Sequence, residues 1–163
     1  MEIVQLNANA KLSEHFTLGE FTKSGSHPEV YNIPSHEAIA NLKRVCEWLE
    51  ALREASPDPT ASPGPSKGRG EPIIINSGYR SPQLNKKIGG VPTSNHLTGC
   101  AVDIRTSGME QAIWYAAILI NYAKETNQEF DELLIEKNRY GAIWLHFAVR
   151  PNGNRRKVMF LNA

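Results

Sequence analysis

The sequence predicts an α+β fold in which an antiparallel sheet has helices packed on one side. Apolar residues recur at helical spacing from Pro34 to about Ala55, and again after Gly108. Three β-branched or alternating runs close the chain, at about Glu132–Glu136, Ile143–Val149 and Lys157–Leu161. The helices come first and these strands follow one another closely, an order that favours hairpin pairing over parallel crossovers. At 163 residues the chain fits one domain spanning 1–163 and can bury a core of useful size.

Each element has a local cause. Thr17-Leu18-Gly19-Glu20-Phe21 reads as a short capped helix, with Thr17 as N-cap and Glu20 three residues on. In the first long helix Ile39, Leu42, Val45, Cys46, Leu49 and Leu52 form one face, and Pro34 or Ser35 opens it. The composition then changes. Residues 56–70 hold four of the ten prolines, interleaved with Gly64, Gly68, Gly70, Lys67 and Arg69, and read as a loop insertion. Pro72–Asn76 is a β-branched run suited to a buried strand. Ser77-Gly78-Tyr79-Arg80 is a turn, Ser81-Pro82 starts a short helix, and Gly89-Gly90 stops it. A loop carrying His96 and Gly99 leads to the strand Ala101–Ile104. Ser107 or Gly108 then opens a helix whose apolar face is read as Met109, Ile113, Ala116, Ala117 and Ile120.

Composition excludes several roles. The formal net charge of +1 provides no global basic field, so nucleic acid is not an implied partner. No apolar stretch approaches the length of a membrane span. The start, Met1 to Leu6, lacks the basic residues and apolar run of a signal peptide, which implies synthesis in the cytoplasm. Two cysteines are too few for a disulfide framework. Cys46 falls on a helix face. Cys100 alternates away from the strand face of Ala101 and Asp103 and reads as a small buried hydrophobe, not a ligand or nucleophile. The chain is expected to be a monomer.

The chemistry concentrates in Ser94-Asn95-His96-Leu97-Thr98-Gly99-Cys100-Ala101-Val102-Asp103, answered by His146. Two imidazoles and a carboxylate are a donor set for one zinc ion, and three protein ligands leave a tetrahedral position open for water. That points to a hydrolase. Asp103 shares its strand face with small Ala101, which leaves room for an ion, and Gly99 permits the bend between His96 and the strand. Alternation turns Leu145 and Phe147 to one layer, and Trp144, His146 and Ala148 to the other. His15, His27 and His36 lie in polar or turn-like contexts with no acidic or histidine partner at motif spacing, and read as ordinary surface or hydrogen-bonded histidines.

Ser-x-His-x2-Gly-x-Ala-x-Asp, at Ser94, His96, Gly99, Ala101 and Asp103, resembles the signature of the M15 peptidases: zinc D-Ala-D-Ala carboxypeptidases, dipeptidases and related phage endolysins. The resemblance extends to Ser77–Ser81, Asn85, Gly89-Gly90, Trp144-x-His146 and the opening Phe16-Thr17-Leu18-x-Glu20-Phe21. It implies the α+β fold shared with Hedgehog domains, one Zn2+, and peptidoglycan stem peptides as substrates. Carried over by position, it makes His96, Asp103 and His146 the zinc ligands, sets Arg80 at the substrate carboxylate and places Ser94 near the substrate backbone. A planar guanidinium suits a terminal carboxylate on physical grounds as well. Tyr79 and Trp144, beside Arg80 and His146, complete the expected substrate-binding set. Action on the cell wall would follow release by a separate route, as for a phage or prophage enzyme.

Many M15 peptidases carry a catalytic acid three residues before the last histidine. Here that position is Ile143, which cannot move a proton. Glu136 is the replacement. If its strand pairs antiparallel with Ile143–Val149 so that Glu136 faces Trp144, Leu134 faces His146 and Glu136 becomes a diagonal neighbour of His146 on one face. Glu132, on that same face, and Asp131 are second choices for the base. The absent acid also leaves open a catalytically inactive, zinc-stabilised wall-binding module or a phage structural component.

Overall fold

The computed structural model describes residues 7–23, 27–56 and 72–163. The expected Pro/Gly-rich loop lies, from residue 57 onward, outside them. Helix α1 spans Leu18–Thr22; the Glu20 carboxylate accepts from the Thr17 backbone N–H at 2.7 Å and from its hydroxyl at 3.1 Å. Helix α2 runs His36–Ala55, with the Ser35 hydroxyl accepting from Ala38 N at 3.1 Å. After β1 (Ile75–Ser77) come α3 (Pro82–Lys87), capped by Ser81, and a 3-10 turn at Asn95–Thr98. Strand β2 (Ala101–Arg105), helix α4 (Met109–Thr126) and strands β3 (Glu132–Lys137), β4 (Ile143–Ala148) and β5 (Lys157–Asn162) complete the chain.

The strands form one sheet in the order β1-β2-β4-β3-β5. β2 and β3 both pair antiparallel with β4, with Asp103 and Leu134 each opposite His146. Helices α2 and α4 cover one face. Their Val45, Trp48, Leu49, Tyr115 and Leu119 share a core with Val102, Ile104, Leu133, Leu145 and Phe147. Trp48 is its centre, edge-on to Tyr122 at 4.9 Å between ring centroids and 5.2 Å from Phe147. Burying side chains of this size stabilises by roughly 1.5–3 kcal/mol each, which fixes which sheet face turns inward. Alternation then puts Asp103, His146, Glu132 and Glu136 on the opposite face.

Four sequence expectations need correction. The sheet is mixed, because β5 pairs parallel with β3. The cause is topological. β2 and β3 occupy both edges of β4, and the returning chain pairs at the outer edge of β3. A strand reversing from β4 must run the same way as β3. The second correction concerns α4, whose buried face is Ala112, Tyr115, Ala116, Leu119 and Ala123, while Ile113 and Ile120 face outward. Small alanines let the helix approach closely, and apolar residues on both sides of α4 made its inner face ambiguous. Third, β1 begins at Ile75 and not Pro72: Ile74 turns outward and a register shift bends the strand. Fourth, the His96 loop is a helical turn, ended by Gly99 at φ 76°, where a Cβ would sit 2.5 Å from the Ala38 carbonyl oxygen.

Candidate metal centre

His96 hangs from the 3-10 turn, Asp103 from β2 and His146 from β4, and their ligand atoms all lie within 4.8 Å of one another. Both histidines are buried, and Asp103 is half-buried. His96 Nδ1 is 2.7 Å from the Gly78 carbonyl oxygen, which can only accept, so Nδ1 carries the hydrogen and Nε2 presents a lone pair. That Nε2 faces Asp103 Oδ1 at 3.4 Å. His146 Nδ1 approaches the same oxygen at 3.1 Å, while its Nε2 lies 3.1 Å from Glu132 Oε1.

Lone pairs that converge in this way call for a cation among them. A tetrahedral zinc with bonds of about 2.0–2.1 Å spaces its ligand atoms about 3.4 Å apart, which matches the two contacts to Asp103. Imidazole nitrogen and carboxylate oxygen are the donor types zinc takes. The residues therefore fit a divalent ion. Without one, a proton on His146 meets the same need. Burial disfavours that charge, but the hydrogen bonds to Asp103 and Glu132 outweigh it and raise the ring to about 9. Burial likewise works against an ionised Asp103, yet the two imidazoles around it hold it far below the usual carboxylate range.

The surrounding groups fix these ligands. Asp103 Oδ2 accepts from Arg80 NH2 at 3.1 Å. Arg80 also donates through Nε to Ser77 Oγ at 3.1 Å and through NH1 to Asn85 at 3.4 Å. Two of its five N–H groups keep no partner among the described residues. Ser94 caps the 3-10 turn, accepting from His96 N at 3.2 Å, and lines the cleft. Tyr79 packs in the hydrophobic core and is not among the cleft-lining residues. Trp144 also lies outside the lining, but it stands opposite Glu136 in the β3–β4 register and its indole favours the ionised form of that carboxyl.

The cleft holds about 460 Å3 above the open sheet face. Glu136 lines it. Burial and the nearby Asp103 charge push its carboxyl above the ordinary value. Glu132 goes the other way, lowered first by the His146 hydrogen bond. Asp131 is fully buried and accepts from Arg155 N, Nε and NH2 at 3.0, 3.0 and 2.9 Å and from Asn95 at 2.8 Å. These bonds hold it at about 2 despite burial, and make it an anchor for the loop before β5 rather than a base.

Asn95 had no assigned role in the sequence. Its amide donates to both Asp131 and Glu132, and its oxygen accepts from Arg150 Nε at 2.8 Å, so it ties the anchor to the carboxylate that holds His146. Its position beside His96 was the one available signal. Cys100 is buried and absent from the triad, and burial raises its thiol. His15 and His27 lie against Glu50 at 2.8 Å and Glu29 at 3.3 Å, and neither joins the metal cluster.

Among the described residues no helix is long and apolar enough to cross a membrane. The family model for Peptidase M15 matches residues 66–134, a stretch that holds Arg80, Ser94, His96 and Asp103 but ends before Glu136 and His146. A zinc D-Ala-D-Ala carboxypeptidase from Streptomyces albus G is 28% identical over 103 residues. That match covers 63% of this chain and 36% of the relative, so the chain spans about a third of the relative's length. The chain is thus similar to M15 peptidases over residues 66–134 and to a zinc D-Ala-D-Ala carboxypeptidase over 103 residues.

Proposed function

We propose that the protein is a zinc-dependent peptidase that hydrolyses peptidoglycan stem peptides, as a D-Ala-D-Ala carboxypeptidase or a related endopeptidase acting at the cell wall. The supporting observation is that Glu136, a carboxyl raised above its ordinary value, shares one cleft with three converging metal-ligand side chains. The relative's printed activity supplies the substrate class.

His96, Asp103 and His146 would hold the ion, which when bound supplies a Lewis acid and a lowered pKa for water in the open position. Glu136 accepts a proton from the attacking water on its carboxylate oxygen and returns one to the leaving amine. A carboxyl raised above its ordinary value suits both halves of that task. Glu132 keeps His146 Nε2 protonated, so that Nδ1 remains a donor toward the ion. Arg80 keeps one N–H on Asp103 and offers its uncommitted N–H groups to a terminal carboxylate. The Ser94 hydroxyl, which accepts from His96 N, has its own hydrogen free for a substrate carbonyl.

Ile143, where many M15 peptidases carry an acid, favours one competing reading: a zinc-stabilised wall-binding module without turnover. Muropeptides incubated with the zinc-loaded protein, with and without chelator, separate the two by product mass. Chelator-sensitive release of alanine, a dipeptide or cross-link fragments is the expected result. Wall binding with no release would overturn the peptidase.

A further inference from the structure

The cleft is lined by four cations, Arg80, Arg150, Arg155 and Lys157. Three of them are already committed to carboxylates: Arg80 to Asp103 at 3.1 Å, and Arg150 and Arg155 to Asp131 at 3.2 and 2.9 Å. Lys157 has no carboxylate within ion-pair distance among the described residues and is exposed. Its register partner across β3 and β5 is Glu132. That carboxylate is taken by His146 and Asn95.

The sheet register fixes where Lys157 stands. Asp103, His146, Leu134 and Met159 form one row across β2, β4, β3 and β5. Ala101, Ala148, Glu132 and Lys157 form the next row on the same face. Two strand spacings separate β4 from β5, roughly 10 Å, and an extended peptide covers about 3.3 Å per residue. Arg80 stands on the other side of the triad, bonded to Ser77 of β1 and Asp103 of β2. A peptide held by its carboxyl end at Arg80 therefore runs over the triad and β3 toward β5. Lys157 meets its side chain about two to three residues on the amino side of the cut.

We infer that Lys157 is a specificity residue that selects peptides bearing a side-chain carboxylate two to three residues before the scissile bond. The inference rests on the peptidase reading for its direction along the cleft. An ammonium on a flexible stem near solvent gives a modest preference, about fivefold at low salt, that weakens as salt screens it.

The test compares two peptides that differ only in a carboxylate or carboxamide at that position. The zinc-loaded protein is expected to show a kcat/KM ratio of about five in favour of the acid, carried by KM and shrinking with added salt. Lys157→Met should bring the ratio close to one, and Lys157→Arg should keep most of it. Calorimetric Kd values for the same peptides on zinc-loaded Glu136→Gln give the ratio without turnover. Equal handling of both peptides by the unaltered protein overturns the inference. A ratio that survives Lys157→Met also overturns it, by moving recognition to Arg150 or Arg155. If neither peptide is cleaved while the Kd ratio exists and disappears with Lys157→Met, the peptidase reading falls and this one stands. Failure of the carboxylate peptide to bind overturns it.

Discussion

Glu132 and Glu136 stand on the same face of β3, one on each side of Leu134, and Leu134 faces His146 across the β3–β4 pair. Two identical side chains thus flank one histidine and are driven in opposite directions. The bond from His146 lowers Glu132, while burial beside Asp103 raises Glu136. Carboxyls separated in this way take different duties.

Glu136→Gln should retain stoichiometric zinc and lose hydrolysis by about 100-fold or more, the usual worth of a positioned general base. Glu132→Gln should instead weaken zinc binding by about tenfold, because the ring it orients loses its partner. Competition with a chromogenic chelator and a muropeptide assay on the same two preparations read both effects.

Trp144→Phe removes the indole N–H that stabilises the ionised form of Glu136. The folded-state pKa of Glu136 should then rise further. The acidic limb of the kcat/KM profile should move to higher pH, with zinc content unchanged. A pH profile of the variant beside the parent measures this.

Asp131→Ala should destabilise the fold by about 2–3 kcal/mol, since Asn95 and the Arg155 backbone N–H lose a buried partner while both arginines can turn to solvent. The pH dependence has a definite sign. Folding depresses the Asp131 pKa from 3.8 to about 2, so its contribution is present in full above the unfolded value and is lost as pH falls from about 4 through about 2. Urea midpoints across that window should fall less steeply in Asp131→Asn than in the parent.

Gly99→Ala places a methyl group against the Ala38 carbonyl and forces an L-residue into the left-handed region, at a cost of about 1–3 kcal/mol. Because the same turn carries His96, zinc affinity should fall together with the thermal midpoint. A variant that loses stability but binds zinc normally would show that the turn is not rigidly coupled to its histidine.

Much of this was legible in the chain. Ser35, Ser81 and Thr17 mark helix starts because their hydroxyls and neighbouring residues act locally, and local rules read local causes. Period-two alternation was enough to place Glu132, Glu136 and His146 on one face once β3 and β4 were seen as a hairpin. What escaped was set by distant partners. The direction of β5 depends on both edges of β4 being filled. The inner face of α4 depends on how closely alanines let it approach the sheet. Asn95 matters because Asp131, Glu132 and Arg150 come to it from far along the chain, and no spacing rule announces that.

β2 and β4, which carry Asp103 and His146, lie inside the sheet with β1 and β3 on their outer sides. Fraying at either margin leaves that pair intact. Amide protons of β2 and β4 should be the last to exchange with deuterium, and those of β5 among the first, so the cleft margin can shift while Asp103 and His146 keep their places.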